Sequence, residues 1–348
     1  MIHHGGSSTP SWIIIDMTRS RSIFVASAIA IAIASSLTLP ATAQPTQAPV
    51  VAAYAQASDS YSFPLGKLTI TSLSDGTVPQ DLYKLLIGPS HDHIDELLDR
   101  NFLANPVEAS INAFLIRDGQ RTILVDTGSG ELFGPGYGGK LYDSLSSVGV
   151  KPEQVTDILI THIHTDHTGG LVKAGKPAFP NAMVHVGAPD LAFFLNPDNA
   201  KKSGYAQNYF SEAIKTIGVY DKLGKVKTFG DGQTILPGIT ASIHPGHTPG
   251  SAFFTVKSND QSIVFVGDIV HVAAVQFPKP DVAIVYDVKP KDAISVRQKA
   301  FSQFAHSRQL LAAPHLPFPG IGRVRADANA NAAFSWHPVE YRNRVSGN

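Results

Sequence analysis

An α/β fold is the expectation for this chain, and three features of the sequence lead to it. Apolar runs of strand length recur along the chain, stretches with helical spacing lie between them, and both kinds occur in each half without a fixed-period repeat. The 348 residues, 43% of them hydrophobic, are enough for a large core and compatible with one large domain or two.

Taken in order, residues 68–73 alternate like a half-buried strand, and Ser74-Asp75-Gly76 reads as a turn. Residues 92–102 have helical spacing. Residues 111–116 and 122–125 read as strands around Asp118-Gly119, and Asp126-Thr127-Gly128 ends the second. Residues 140–148 are helical, with Gly149 as the stop, and 155–160 form the next strand. Strands are expected at 183–186 and 225–229, and helices at 189–195 and 205–217. Strands at 239–243, 252–256 and 263–266 and an amphipathic helix at 291–304 complete the pattern.

Composition excludes several classes of function. The formal net charge is zero with Lys and Arg scattered, so nothing suggests a nucleic-acid footprint. There is no cysteine, hence no disulfide, no thiolate metal site and no cysteine nucleophile. Met17-Thr18-Arg19-Ser20-Arg21 is basic, residues 23–39 are apolar and Ala-rich, and Ala41-Thr42-Ala43 precedes Gln44 as an A-x-A cleavage site. This reads as a secretory signal peptide, with Met1 or Met17 as the start. The expected organisation is an upstream extension and signal peptide over 1–43, an Ala/Pro/Gln-rich linker over 44–62, and one domain over 63–348. The mature protein is then periplasmic or secreted, without stable membrane insertion.

The chemistry lies in Thr161-His162-Ile163-His164-Thr165-Asp166-His167-Thr168-Gly169-Gly170, directly after the apolar Ile158-Leu159-Ile160. Three imidazoles and a carboxylate in six residues crowd and desolvate one another unless something binds them. Nitrogen and oxygen donors of this kind suit zinc, iron, nickel or manganese. Further candidates follow at strand ends: His247 in Gly246-His247-Thr248-Pro249-Gly250, Asp268 after Phe265-Val266-Gly267, and His315 after Ala313-Pro314. Loops at the ends of sheet strands are where ligand and catalytic groups are usually carried.

This ordered set, HxHxDH then His, Asp and His, resembles the metallo-β-lactamase-fold hydrolase superfamily over about residues 68–315. The resemblance implies a four-layer αβ/βα sandwich, with two divalent cations between the sheets at one edge. It implies that His162, His164 and His247 hold the first ion, that Asp166, His167 and His315 hold the second, and that Asp268 bridges them. Zinc is the first expectation for both ions, with iron, manganese and cobalt also compatible. Water shared by two such cations is acidified to hydroxide near neutral pH and attacks an ester or phosphoryl centre. Asp126 matches a motif position that orients the ligand loop. His185 reads as a core histidine, and His91, His93, His306 and His337 lack metal spacing.

Residues 265–277 and 315–322, with Leu73-Ser74-Asp75-Gly76-Thr77, look like the methyl parathion hydrolase subgroup, which includes organophosphate, lactone and aryl-ester hydrolases. Asp166, Asp268 and His271 are the residues expected to act in the chemistry. His271, three residues after Asp268, is a donor for an ester oxygen, which leans the reading toward lactones and aryl esters over phosphotriesters. Phe277, Ile284, Tyr286, Phe133 and Phe193-Phe194 are candidate pocket walls. The expected partner is a small-molecule ester or lactone, with no nucleic acid, and a homodimer is compatible with the resemblance. Against a di-iron oxidoreductase stands the absence of a flavin domain after His315. Against a β-lactamase stands the bridging Asp268, and against a non-catalytic metal-binding module the open position such a ligand set leaves.

Overall fold

The computed structural model describes residues 59–327 and 333–342, so the expected signal peptide and nearly all of the expected linker lie outside the described residues. Two seven-stranded sheets carry the architecture, and in each the strands follow one another in chain order. The first contains β1 (Ser60–Leu65), β2 (Leu68–Gln80), β3 (Val107–Arg117), β4 (Thr122–Val125), β5 (Asp157–Ile160), β6 (Met183–Gly187) and β7 (Val226–Phe229). The second contains β8 (Gln233–Leu236), β9 (Ile239–Ile243), β10 (Ala252–Ser258), β11 (Gln261–Phe265), β12 (Leu310–Ala312), β13 (Ile321–Ala326) and β14 (Phe334–Pro338). β1 opens inside the stretch expected to be linker, with Ser60 to Ser62 paired to Leu73 to Thr71 of β2.

The period of two in the strands builds the layers. On β3, Phe114 and Ile116 point between the sheets, where they meet Phe254 and Phe265 of the second sheet. Ala113 and Leu115 point outward, toward a cluster that includes Leu141 and Leu145 of α2 (Leu141–Ser147; α1 is His91–Asp99). The same cluster takes in Phe194 of α3 (Ala188–Phe194), Phe210 of α4 (Gln207–Lys215) and Tyr220 of α5 (Ile217–Lys222). The outer face of the second sheet packs Phe253, Val264 and Leu311 on Ala300, Phe301 and Phe304 of α6 (Pro290–Ser307). The result is helix, sheet, sheet, helix, the expected αβ/βα sandwich.

The expected turn at Ser74-Asp75-Gly76 is instead the middle of a 13-residue strand. The pairing of β2 with β3 shifts register between Ser74 and Gly76, so the extra residue is absorbed as a bulge. The bulge turns Asp75 inward. Its fully buried carboxylate accepts four hydrogen bonds at 2.9 Å, from Ser129 N, Ser129 Oγ, Gly139 N and Leu141 N. These bonds pin the Gly-rich loop between β4 and α2. Burial still holds the Asp75 carboxyl above its usual range, with the four bonds opposing it.

Candidate metal centre

All the ligand-bearing loops leave the same edge of the sandwich. β4, β5 and β6 run parallel, and β5 delivers the segment from Thr161 to Thr168. In the second sheet β9, β11 and β12 share one direction and end before His247, Asp268 and His315. Glycine is required where the first loop crosses the residues after β4. A Cβ on Gly169 would strike Ser129 O, and one on Gly170 would strike Thr127 O.

The seven side chains expected from the sequence converge. His162, His164, His247 and Asp268 form one group of close donor atoms, and Asp166, His167 and His315 form another. In the first, His162 Nε2 lies 3.1 Å from His164 Nδ1 and 3.2 Å from His247 Nε2, and His247 Nε2 lies 3.3 Å from Asp268 Oδ2. In the second, His167 Nε2 is 3.6 Å from Asp166 Oδ1, and His315 Nε2 is 3.5 Å from Asp166 Oδ2. Asp268 faces both groups, with Oδ1 3.3 Å from His167 Nε2 and Oδ2 3.1 Å from His315 Nε2. Four tetrahedral ligands at ordinary zinc–nitrogen distances sit about 3.3 Å apart, which matches these spacings.

The donor set fits divalent cations on a second ground. Among the described residues, His167 Nε2 and Asp268 Oδ1 are buried polar atoms without a hydrogen-bond partner, and both point at the centre. Unpaired buried groups of this kind are costly unless an ion completes them. The away-facing nitrogens are all engaged: His162 Nδ1 with Thr161 Oγ1 at 3.1 Å, His164 Nε2 with Tyr205 Oη at 2.8 Å, His167 Nδ1 with Asp126 Oδ2 at 2.9 Å, His247 Nδ1 with Asp287 Oδ1 at 2.8 Å, and His315 Nδ1 with Ser110 O at 2.9 Å. Asp126 also accepts from Thr161 N and Thr161 Oγ1, both at 2.8 Å, which is the orienting role expected of it. It does so at a φ of 60°, a left-handed conformation uncommon for aspartate and held here by these contacts.

The protein's own charges divide the ligands. Burial, reinforced by neighbouring imidazoles, holds His162 and His164 well below the usual histidine range, so both are neutral lone-pair donors. Burial acts the same way on His167, but Asp268, Asp126 and Asp166 outweigh it and raise that group. Asp268 is driven well below the carboxylate range because the surrounding histidines overcome its burial.

Beside the centre is a cavity of about 190 Å³, walled by Val78, Pro79, Phe133, Tyr209, His271 and Tyr286. Phe133 and Tyr286 are therefore where the sequence analysis expects them. Phe277 and Ile284 are not: Phe277 stacks between Phe301 and Trp336, and Ile284 is fully buried in the cluster under α1. Phe193 and Phe194 pack behind the ligands, with Phe194 edge-on to His164. His271 reaches the centre, its Nε2 3.1 Å from Asp268 Oδ2 and its Nδ1 without a partner among the described residues. Burial pushes its pKa down to about 4, against the pull of Asp268, so the ring is neutral at pH 7. His185 is a core histidine bonded to Asp157 at 2.9 Å, and a larger cleft of about 700 Å³ beside that pair contains none of the ligand set.

Asp190 escaped the sequence analysis, and only a prolyl helix start, Ala188-Pro189-Asp190, marks it there. Fully buried, it accepts from Ile163 N and Thr248 Oγ1 at 2.9 Å and from Gly250 N, clasping the His162–His167 loop to the His247 loop. Burial raises its pKa to about 6, with those three bonds opposing. Because the folded value lies above the unfolded one, its contribution to stability is complete below about pH 4 and is lost as pH rises through 6. For metal-free protein, urea unfolding of wild type and Asp190→Asn across pH 4 to 7 is expected to shift the difference toward the variant by about 2 kcal/mol. A pH-independent difference would count against a carboxylate titrating there.

Comparison with known proteins agrees with this geometry. The sequence profile described as the Metallo-beta-lactamase superfamily matches residues 107–305. A solved hydrolase, AbOPH, described as being in the beta lactamase superfamily, is 36% identical, with a TM-score of 0.77 over 83% of this chain and 100% of its own. AidC, described as a dizinc quorum-quenching lactonase in complex with a product, is 27% identical, with a TM-score of 0.75 over 82% of this chain and 99% of its own. Among curated proteins, a ribonuclease of Thermus thermophilus is 24% identical over 164 residues, 47% of this chain. The match spans only 36% of that relative's length.

Proposed function

The chain belongs to the metallo-β-lactamase superfamily, and from that membership we propose that it is a hydrolase that uses two divalent cations, zinc first among them, to open lactones or cleave aryl esters, and from the signal-peptide pattern of residues 17–43 that it is exported. The observation that carries the reading is the gathering of six candidate ligands around a seventh, Asp268, beside a cavity sized for a small ester. Similarity to a dizinc lactonase over nearly its whole length supports the substrate class. The match to a ribonuclease spans a minor part of that protein, and a formal net charge of zero lends no support to a polyanionic substrate.

Bound there, divalent cations would supply a water nucleophile at neutral pH and polarise the scissile carbonyl. The chain's residues do the rest. Asp268 spans the two ligand groups and fixes their separation. Asp166 lines the cavity and is the more accessible carboxylate of the centre, placed to take the proton released when water adds. Tyr286, Tyr209 and Phe133 enclose the acyl or aryl portion. His271 is neutral, and its one hydrogen, on the Nε2 that faces Asp268 at 3.1 Å, would be freed for the developing charge on the ester oxygen where bound cations take up the Asp268 lone pairs.

A turnover panel of an acyl homoserine lactone, an aryl ester, methyl parathion and a β-lactam tests the assignment. Lactone or aryl-ester turnover is expected to lead, and His271→Leu is expected to lower it about 10²–10³-fold while leaving phosphotriester turnover unchanged or higher. Preference of the wild type for methyl parathion would transfer the assignment to phosphotriesters. Equal losses on both substrates would remove the role given to His271. Export is tested separately by N-terminal sequencing of protein from the periplasm, where the chain is expected to start at Gln44. An intact Met17 on membrane-bound protein would indicate an anchor.

A further inference from the structure

Two ligand histidines have their away-facing nitrogens tied to one dipeptide, Tyr286-Asp287. His247 Nδ1 lies 2.8 Å from Asp287 Oδ1, and Asp287 Oδ2 accepts from Ile284 N at 3.2 Å. The Asp287 side chain is fully buried. With Asp287 Oδ2 held as an acceptor by Ile284 N–H and Oδ1 facing His247 Nδ1, the Nδ1 hydrogen is donated to Asp287, and Nε2 is the nitrogen left facing His162 and Asp268.

His164 is turned the opposite way. Its Nδ1 faces the centre, 3.1 Å from His162 Nε2, and its Nε2 lies 2.8 Å from Tyr205 Oη. The Tyr205 hydroxyl donates at 2.7 Å to the main-chain carbonyl of Tyr286. A carbonyl has no hydrogen to give, so the single hydroxyl proton is committed there and Tyr205 Oη accepts from His164 Nε2–H. His164 must therefore present its Nδ1 lone pair to the centre. The ring of the same Tyr286 walls the cavity.

We propose that Tyr205 and the Tyr286-Asp287 dipeptide are positioning residues that lock His164 and His247 in opposite tautomers, each with its lone pair turned to the first ligand group. The device rests on the reading of the centre as a cation site, and it is selective, because His167 and His315 depend on Asp126 and Ser110 instead. It also makes one segment both the support of two ligands and a wall of the cavity.

The test is Zn²⁺ titration of the mature protein against a competing chelator, together with the ¹⁵N-detected tautomer of His164 in metal-free protein. Wild type is expected to bind two Zn²⁺ and, in the metal-free protein, to carry the single His164 hydrogen on Nε2. Tyr205→Phe, which removes one hydroxyl, is expected to weaken one site about 10–100-fold, to spare the other, and to release His164 into tautomer exchange. Asp287→Ala is expected to weaken the same site through His247, and if it fails to fold, Tyr205→Phe carries the test. Tyr205→Phe binding both ions as tightly as wild type, with the His164 tautomer unchanged, overturns the proposal and leaves the cation site standing. Wild type binding no Zn²⁺ overturns the cation site and the proposal with it.

Discussion

Asp268→Ala is expected to remove cation binding from both ligand groups and to lower hydrolysis by more than about 10³-fold, beyond the 10²–10³ typical of losing one preorganised stabilising group. The expectation follows from position. Asp268 Oδ1 faces His167 at 3.3 Å, and Oδ2 faces His315 at 3.1 Å and His247 at 3.3 Å, so one carboxylate serves both groups. His315→Ala provides the contrast, because it touches the second group and should deplete one ion while the other is retained. Elemental analysis of the purified variants separates the cases. Loss of a single ion from Asp268→Ala with activity preserved would refute the bridging role.

The largest effect on stability is expected at Asp75. Its carboxylate is the shared acceptor for Ser129 N, Ser129 Oγ, Gly139 N and Leu141 N, and its main-chain oxygen also accepts from Lys140 N at 3.0 Å. Truncation to alanine removes the acceptor and leaves the donors behind, at about 1–3 kcal/mol for each that stays buried and unpaired. A loss of at least about 3 kcal/mol is expected, seen as a fall in melting temperature of roughly 6–12 °C. The Gly-rich loop that carries Phe133 would loosen at the same time, so KM should rise for substrates that use that wall. A change below about 1 kcal/mol would show that the loop is held by other contacts.

These two carboxylates mark what a sequence does and does not reveal here. Asp268 is legible because the chemistry is concentrated: HxHxDH lies in one loop, and His247, Asp268 and His315 follow strand ends in order. The strands and the helix at 291–304 were legible from their periods, whereas the sandwich arrangement followed only from the resemblance that the ordered ligand set carries. Asp75 was not, because Ser-Asp-Gly has the composition of a turn and only the pairing of β2 with β3 makes it a bulge. Asp190, Asp287 and Tyr205 act on partners 27 to 60, 40 and 41 positions away, a relation that no local pattern encodes. Phe277 and Ile284 illustrate the converse error. An aromatic or branched side chain near a site looks the same in sequence whether it faces the cavity or the core, and the packing of Phe277 between Phe301 and Trp336 decides it.

The most direct test of the account is ring opening of an acyl homoserine lactone by mature protein whose metal content has been measured. The account predicts two divalent cations per chain, turnover that disappears on chelation, and turnover that returns when zinc or another suitable divalent cation is restored. Full lactone turnover by protein shown to be free of metal would contradict it.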